Sequence, residues 1–207
     1  MRCKVKLELL PAMLLFAFVS SITPGPNNMM LLASGVNFGF RRTAPHMLGI
    51  GIGFTIMAAA VGLGLAEVFK AFPLAYTALK YGGALYLLWL AWKIARAGPV
   101  GEGRVGGMPM TFLQAAAFQW INPKAWIMAV SAIATYTTGK DVAAVLLVAG
   151  AFGAVNLPCV SVWALFGTAM RQVLGDARRV RIFNGVMALL LVASLYPILL
   201  EPVLPGR

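Results

Sequence analysis

Two short stretches of this chain set proline beside amide and cationic or hydroxyl side chains: Thr23-Pro24-Gly25-Pro26-Asn27-Asn28 and Asn122-Pro123-Lys124. Proline has no backbone donor and its ring clashes with the preceding turn, while glycine adds backbone freedom. Each stretch should therefore interrupt a helix and release backbone groups. The side-chain amides of Asn27, Asn28, Asn122 and of Asn156, in a third Asn-Leu-Pro sequence, both donate and accept. They suit the two ends of an amino acid, a sodium ion, or the freed backbone itself. Lys124 contributes a full charge and is the only charged residue between Arg104 and Lys140. A helix restarting after Pro123 would put its positive end beside that ammonium, a setting that attracts a carboxylate. The site expected from these residues comprises Thr23, Pro24, Gly25, Pro26, Asn27, Asn28, Asn122, Pro123, Lys124 and Asn156.

Covalent chemistry finds no support. There is no HExxH or GxSxG motif and no pair of carboxylates within an apolar run, so the chain lacks the sequence signs of a nucleophile or a general acid-base pair. The single His46 has no cysteine or carboxylate at ligand spacing, and its nearness to Arg41 and Arg42 suggests the edge of a loop. Cys3 in the basic tail and Cys159 in an apolar segment form no disulfide framework. The expectation is no enzyme, no metal and no cofactor.

The elements that carry these residues are membrane helices. The chain has 207 residues, 60% of them hydrophobic and only 11% charged, with a mean hydropathy of +0.84. Soluble domains approach a quarter charged residues. The 17 Lys and Arg against 6 Asp and Glu lie singly or in short groups between apolar runs, which fits topology signals and not a nucleic-acid surface. From Leu9 to Phe40 no charge appears. A straight helix of that length would be roughly 48 Å, against a hydrocarbon core of about 30 Å. Freed backbone at membrane depth survives only where protein buries it or where it lines a watery cavity. A charge there costs about 2.5 to 3.5 kcal/mol on insertion scales, so Lys124 should face the bundle interior, the alternative being that it snorkels to an interface.

Six segments are expected: 9–34, closed by a turn-rich stretch from Gly35 to Arg42; 43–66, whose glycines let helices approach; 79–92, with Phe72 to Ala78 a connector or an early helix start; 110–137; 142–170; and 182–200. Tyr81, Tyr86, Trp89 and Trp92 read as interfacial anchors. The chain divides into a first three-helix repeat (1–97), a flexible linker (98–109) and a second repeat (110–207). The fold class is an all-α integral membrane protein of six transmembrane helices, two inverted repeats with helices 1 and 4 broken. Pro24 and Pro26 precede Pro123 by roughly a hundred residues, and three spans per half would invert the second copy. Residues Arg2 to Ser21 have the layout of a secretory signal, but the apolar run continues to Phe40 and favours a retained span. Loops with Arg41, Arg42, Lys93, Arg96, Arg104, Arg171, Arg178, Arg179 and Arg181 should be cytoplasmic, against Lys70, Lys80, Lys140 and Arg207 outside, with both termini outside although Arg2, Lys4 and Lys6 oppose this.

Ser21 to Asn27, then Gly39, Arg41-Arg42, Leu48-Gly49, Gly82-Gly83-Ala84-Leu85-Tyr86-Leu87, Phe118 and Asn122-Pro123-Lys124 together resemble, in order, the LysE/RhtB family of amino-acid exporters. The likeness implies a multi-pass protein of the bacterial inner membrane that exports amino acids or related small metabolites by alternating access, driven by H+ or Na+, in a lipid bilayer, with homo-oligomerisation left open. The chain departs from the family pattern in Phe118-Gln119-Trp120 ahead of Ile121-Asn122 and in having no buried carboxylate. A passive channel and a non-transport assembly subunit are the competing readings.

Overall fold

The computed structural model describes residues 9–65, 73–97, 108–137 and 141–196. Its helices are α1 (Leu10–Ile22), α2 (Pro26–Phe38), α3 (Phe40–Ala60), α4 (Pro73–Arg96), α5 (Phe112–Gln119), α6 (Pro123–Tyr136), α7 (Val142–Leu174) and α8 (Ala177–Ala193). There is no strand among the described residues. The two interruptions fall where proline dictates: α2 and α6 each begin on a proline, which needs no donor in the first turn. Side-chain caps start α5, α7 and α8. Thr111 and Gln114 form a reciprocal capping box on α5, and Asp141 and Asp176 accept from the first turns of α7 and α8.

Several boundaries differ from expectation. The stretch from Gly35 to Arg42 is not a loop: α2 runs to Phe38, and Gly39 alone, with φ 79°, turns the chain into α3. Gly35 is a packing residue, since a Cβ there would collide with the carbonyl of Ala164, just as one on Gly167 would meet that of Leu32. The third segment starts at Pro73 and ends at Arg96, wider than the aromatic core that marked it. Helix α7 continues past residue 170 and passes through Pro158. Arg178, Arg179 and Arg181 belong to the start of α8 and not to a loop, which leaves Gly175 and Asp176 as the connection. Of the glycines expected to pack, Gly49 and Gly53 lie against α5, Gly51 against Leu157, and Gly62 against Val145. Gly64 instead has φ 119° in the π turn Val61–Leu65 that ends α3. Residues 1–8, most of the linker, Glu67, Lys70, Arg104, Lys140 and Arg207 lie outside the described residues.

Polarity is arranged inside out. Leu15, Phe18, Ile56, Leu85, Leu113 and Leu189 are exposed, while Asn28, Asn37, Gln119, Asn122, Asn156 and Asn184 are buried. Water would not favour so large an apolar exterior; hydrocarbon does, and it drives amides inward to partners. Two helices, Phe40–Leu65 with its terminal turn and Val142–Leu174, are each long and apolar enough to cross a membrane. Helices α1 and α2 pack on α7, α3 packs on α5 and α7, and α4 packs on α8. At one end, Asn37 and Asn184 exchange amide hydrogen bonds of 2.8 and 2.9 Å, and Asn184 also donates to the carbonyl of Ala97 at 2.8 Å. That knot draws the ends of α2 and α4 to the start of α8. It therefore gathers Arg41, Arg42, Lys93, Arg96, Arg178, Arg179 and Arg181 at one end of the bundle. Lys93 and Arg96 there lie 4.7 and 4.5 Å from the ring centres of Trp89 and Trp92, as cation-π contacts.

A candidate binding pocket where two helix breaks meet

The last helical bond of α1 runs from the Thr23 amide to the Val19 carbonyl at 3.2 Å; the carbonyls beyond it have no helical donors and find others. Ser20 accepts from the Thr23 hydroxyl at 3.1 Å. Ser21 accepts from Asn28 Nδ2 at 2.9 Å and Ile22 from Trp163 Nε1 at 3.0 Å. Thr23 accepts from both Asn28 Nδ2 and Lys124 Nζ, each at 2.7 Å, and Pro24 from Lys124 Nζ at 3.3 Å. Ser21 is buried and Ile22 half-buried, whereas Thr23 and Pro24 are exposed; an unmet buried carbonyl costs about 1 to 3 kcal/mol, so the donors to Ser21 and Ile22 matter most to the break. Beyond the local Thr23 hydroxyl, three side chains from α2, α6 and α7 supply the set.

The second break closes on itself. Ile121 and Asn122 amides return to the carbonyls of Phe118 and Gln119 at 3.1 and 3.3 Å. The Asn122 side chain accepts from the Lys124 amide at 3.2 Å, an N-cap for α6. Trp126 Nε1 meets the Trp120 carbonyl at 2.7 Å. Every one of these partners lies between Phe118 and Trp126.

Between the breaks lies a pocket lined in part by Ser21, Asn27, Asn28, Gln119, Lys124 and Asn156. Lys124 crosses it. Its three ammonium protons match three acceptors, the carbonyls of Thr23 and Pro24 and Thr23 Oγ1 at 3.0 Å. Gly25 makes that approach possible, because a Cβ there would stand 2.8 Å from Lys124 Cδ and 3.2 Å from Nζ. Asn27 and Gln119 exchange amide hydrogen bonds of 2.8 and 3.3 Å, and Gln119 is anchored further by the Ala115 carbonyl at 2.9 Å. Asn156 donates to Ser21 Oγ at 3.1 Å, and its buried Oδ1 has no protein partner. The free space is about 20 Å³, scarcely more than the roughly 10 to 15 Å³ that one water needs. In this conformation the polar side chains of the pocket, Asn156 Oδ1 apart, are paired with protein groups.

The expected residues divide by role. Asn27, Asn28, Asn122, Lys124, Asn156 and Gly25 all line the pocket, and Thr23 and Pro24 present their carbonyls to Lys124. Pro26 and Pro123 set where α2 and α6 begin. Asn27 pairs with Gln119 and not with Asn122. Gln119, Ser21 and Trp163 were not anticipated. Gln119 sits in the Phe-Gln-Trp departure noted above, and a polar residue immediately before a helix break was the available sign. The lone His46 is not at a loop edge: it is 1% exposed within α3. Among the described residues no group of His, Cys, Asp and Glu could hold a metal.

The family profile described as LysE type translocator matches residues 18–194. Among curated proteins, the cysteine/O-acetylserine efflux proteins of Escherichia coli (strain K12) and Shigella sonnei (strain Ss046) are each 33% identical over 195 residues, covering 89% of this chain and 94% of the relative. No solved structure gives a significant match.

Proposed function

The chain belongs to the LysE type translocator family of transporters, integral membrane proteins and not enzymes, and on that premise we propose that it exports small amino acids with uncharged side chains by alternating access across the bacterial inner membrane. The observation that carries this reading is the span of Lys124 from the second break to the carbonyls of the first, inside a pocket of amides. An amino acid offers a carboxylate to that ammonium, and charge-assisted bonds are roughly twice as strong as those to neutral carbonyls. Its own ammonium is the natural replacement donor for the Thr23 and Pro24 carbonyls that Lys124 gives up. Asn156 Oδ1 supplies a further acceptor. The pocket lining contains no carboxylate to hold a second cation, which disfavours basic amino acids. The relatives named for cysteine and O-acetylserine efflux agree with that size and charge.

Exchange of ammoniums also supplies the conformational step. Once Lys124 turns to the substrate, the Pro24 carbonyl has no donor but the bound ligand and Thr23 keeps only Asn28, so occupancy and the geometry of the break become linked. A pocket with only about 20 Å³ of free space favours such a cycle over an open pore, since a single water needs about 10 to 15 Å³. Two helix pairings support two inverted three-span repeats, α1 on α7 corresponding to α5 on α3 and α4 meeting α8, whereas the broad packing of α2 on α7 has only a slight counterpart in α6 on α3. The cationic end tied by Asn37 and Asn184 faces the cytoplasm under the positive-inside rule. The test is efflux from a host sensitive to cysteine, with a panel of other amino acids. Export of small neutral amino acids, reduced in Lys124→Gln at similar membrane abundance, supports the proposal. Unaltered efflux by that variant sinks the assigned site.

A further inference from the structure

A larger cavity, about 70 Å³, lies towards the cationic end of the bundle. It continues the face of α2 that lines the first pocket. Asn27 belongs to the first cavity, and Met30, Ser34 and Asn37, spaced three and four residues apart along the same helix face, line the second. At about 1.5 Å per residue, Ser34 stands roughly 10 Å along the axis from Asn27. The wall also includes His46 of α3. Its neighbours on that wall are satisfied: Ser34 and Thr43 share a hydrogen bond of 2.8 Å, and Asn37 is paired with Asn184. His46 is buried, and neither Nδ1 nor Nε2 has a protein partner. An imidazole has one donor and one lone pair to satisfy, and the cavity of about 70 Å³ has room for several waters at roughly 10 to 15 Å³ each.

We propose, on the premise that the chain is an exporter, that His46 is the proton-carrying residue of its cycle. The ring nitrogen's lone pair binds one proton in the conformer open to the outside and yields that proton through this cavity to the cytoplasm as substrate moves outward, with no other bond made or broken. Imidazole is the side chain whose ordinary titration falls between pH 5 and 8. The other buried titratable side chains described are Tyr136 and Cys159. The one charged residue lining the cavity is Lys93 of α4; beyond it at this end are exposed Arg41 and Arg42 on α3 itself, Arg96 on α4, Arg171 at the end of α7, and Arg178, Arg179 and Arg181 at the start of α8, where Asp176, paired with Arg179, is the carboxylate. From α2 come only hydroxyl, amide and apolar groups, and the lining ahead of α5 is Met108, Pro109 and Met110. Charging the ring in this closed conformer would create an unpaired buried cation. The protonated chain therefore favours a different conformer, in which water reaches the ring, and that difference is the coupling.

The test uses the full chain in liposomes with labelled O-acetylserine as probe and two readouts: accumulation driven by a pH gradient, and exchange of labelled for unlabelled probe without one. The wild type should do both. His46→Gln should lose gradient-driven accumulation and the pH dependence of transport while keeping exchange. His46→Asn serves if the Gln variant does not insert. Because His46 is the only histidine of the chain, diethyl pyrocarbonate should abolish gradient-driven accumulation by the wild type, and hydroxylamine should restore it. The proposal is overturned if the variants accumulate probe with a wild-type pH profile. Loss of exchange together with accumulation overturns it too, because His46 would then serve substrate passage; so does driving by Na+ with no response to pH. A wild type that exchanges none of the amino acids in the panel overturns the exporter reading itself, a result distinct from all of these.

Discussion

At the first break the carbonyls of Ser21, Ile22, Thr23 and Pro24 depend on donors from α2, α6 and α7, whereas at the second the carbonyls of Phe118, Gln119 and Trp120 are met within the same nine-residue turn. Both are proline interruptions beside an asparagine, yet they are different mechanical objects. A turn that satisfies itself keeps its shape when the helices around it shift. A turn capped from three helices changes its energy whenever any of them moves. Lys124 is the sharpest case, because it starts the self-sufficient helix and caps the dependent one.

This contrast can be broken most severely at the first break. Replacing Pro24, Gly25 and Pro26 together by alanine restores donors and the best helix former, and should yield an inserted protein with no measurable efflux. A triple variant that exports normally would reduce the break to a kink. Next in size is Lys124→Gln, expected to lower efflux at least tenfold by removal of a charge-assisted contact of about 1.5 to 3 kcal/mol. Lys124→Arg should rescue poorly, since a planar fork does not reproduce a compact ammonium. Gly25→Ala should resemble Lys124→Gln, because the new methyl group takes the space of the lysine stem; efflux kinetics beside thermal stability would compare them.

Smaller effects separate the breaks by location. Asn27→Ala and Gln119→Ala should each cost about 0.5 to 1.5 kcal/mol of stability. Their double variant should cost less than the sum, as the two amides serve each other. Thermal unfolding in detergent, scored by fluorescence, reads this cycle. Cysteines at 27 and 119 should crosslink more readily than cysteines at 27 and 122 in a background lacking Cys3 and Cys159. The mildest change is Trp126→Phe, which removes one local donor and should lower stability by about 1 kcal/mol with the efflux rate per folded molecule unchanged. Trp163→Phe, which removes a donor of similar kind from the first break, should alter that rate. Equal effects of the two tryptophans on rate would erase the distinction drawn here.

The breaks were legible because proline acts locally: it removes a donor and a turn wherever it stands. That Lys124, only partly buried and with its ammonium contacts exposed, turns towards other helices followed from the expense of charge in hydrocarbon. Its partner did not, because the acceptors are backbone carbonyls about a hundred residues away in sequence, and every residue type has a carbonyl. Gln119 was passed over because its meaning depends on Asn27 across the bundle. Gly35 looked like a turn residue, yet the close approach of α7 explains it; loss of a side chain serves tight packing and tight turning alike. His46 was misplaced by its charged neighbours, since Arg41 and Arg42 point outward from the first turn of a helix whose next turn faces in.

The bond from Lys124 to Thr23 and Pro24 also bears on how the protein is made. Helix α5 has eight residues, about 12 Å of helix against a core of about 30 Å, so it cannot enter the bilayer alone. The α5 and α6 pair must enter together and brings an ammonium into hydrocarbon. The chain up to α4, synthesised first, waits with the carbonyls of Ile22 and Pro24 lacking the donors that α7 and α6 bring. The later helices are therefore received by a surface already shaped for them, and a ribosome that stops after α4 leaves a product marked as unfinished by those carbonyls.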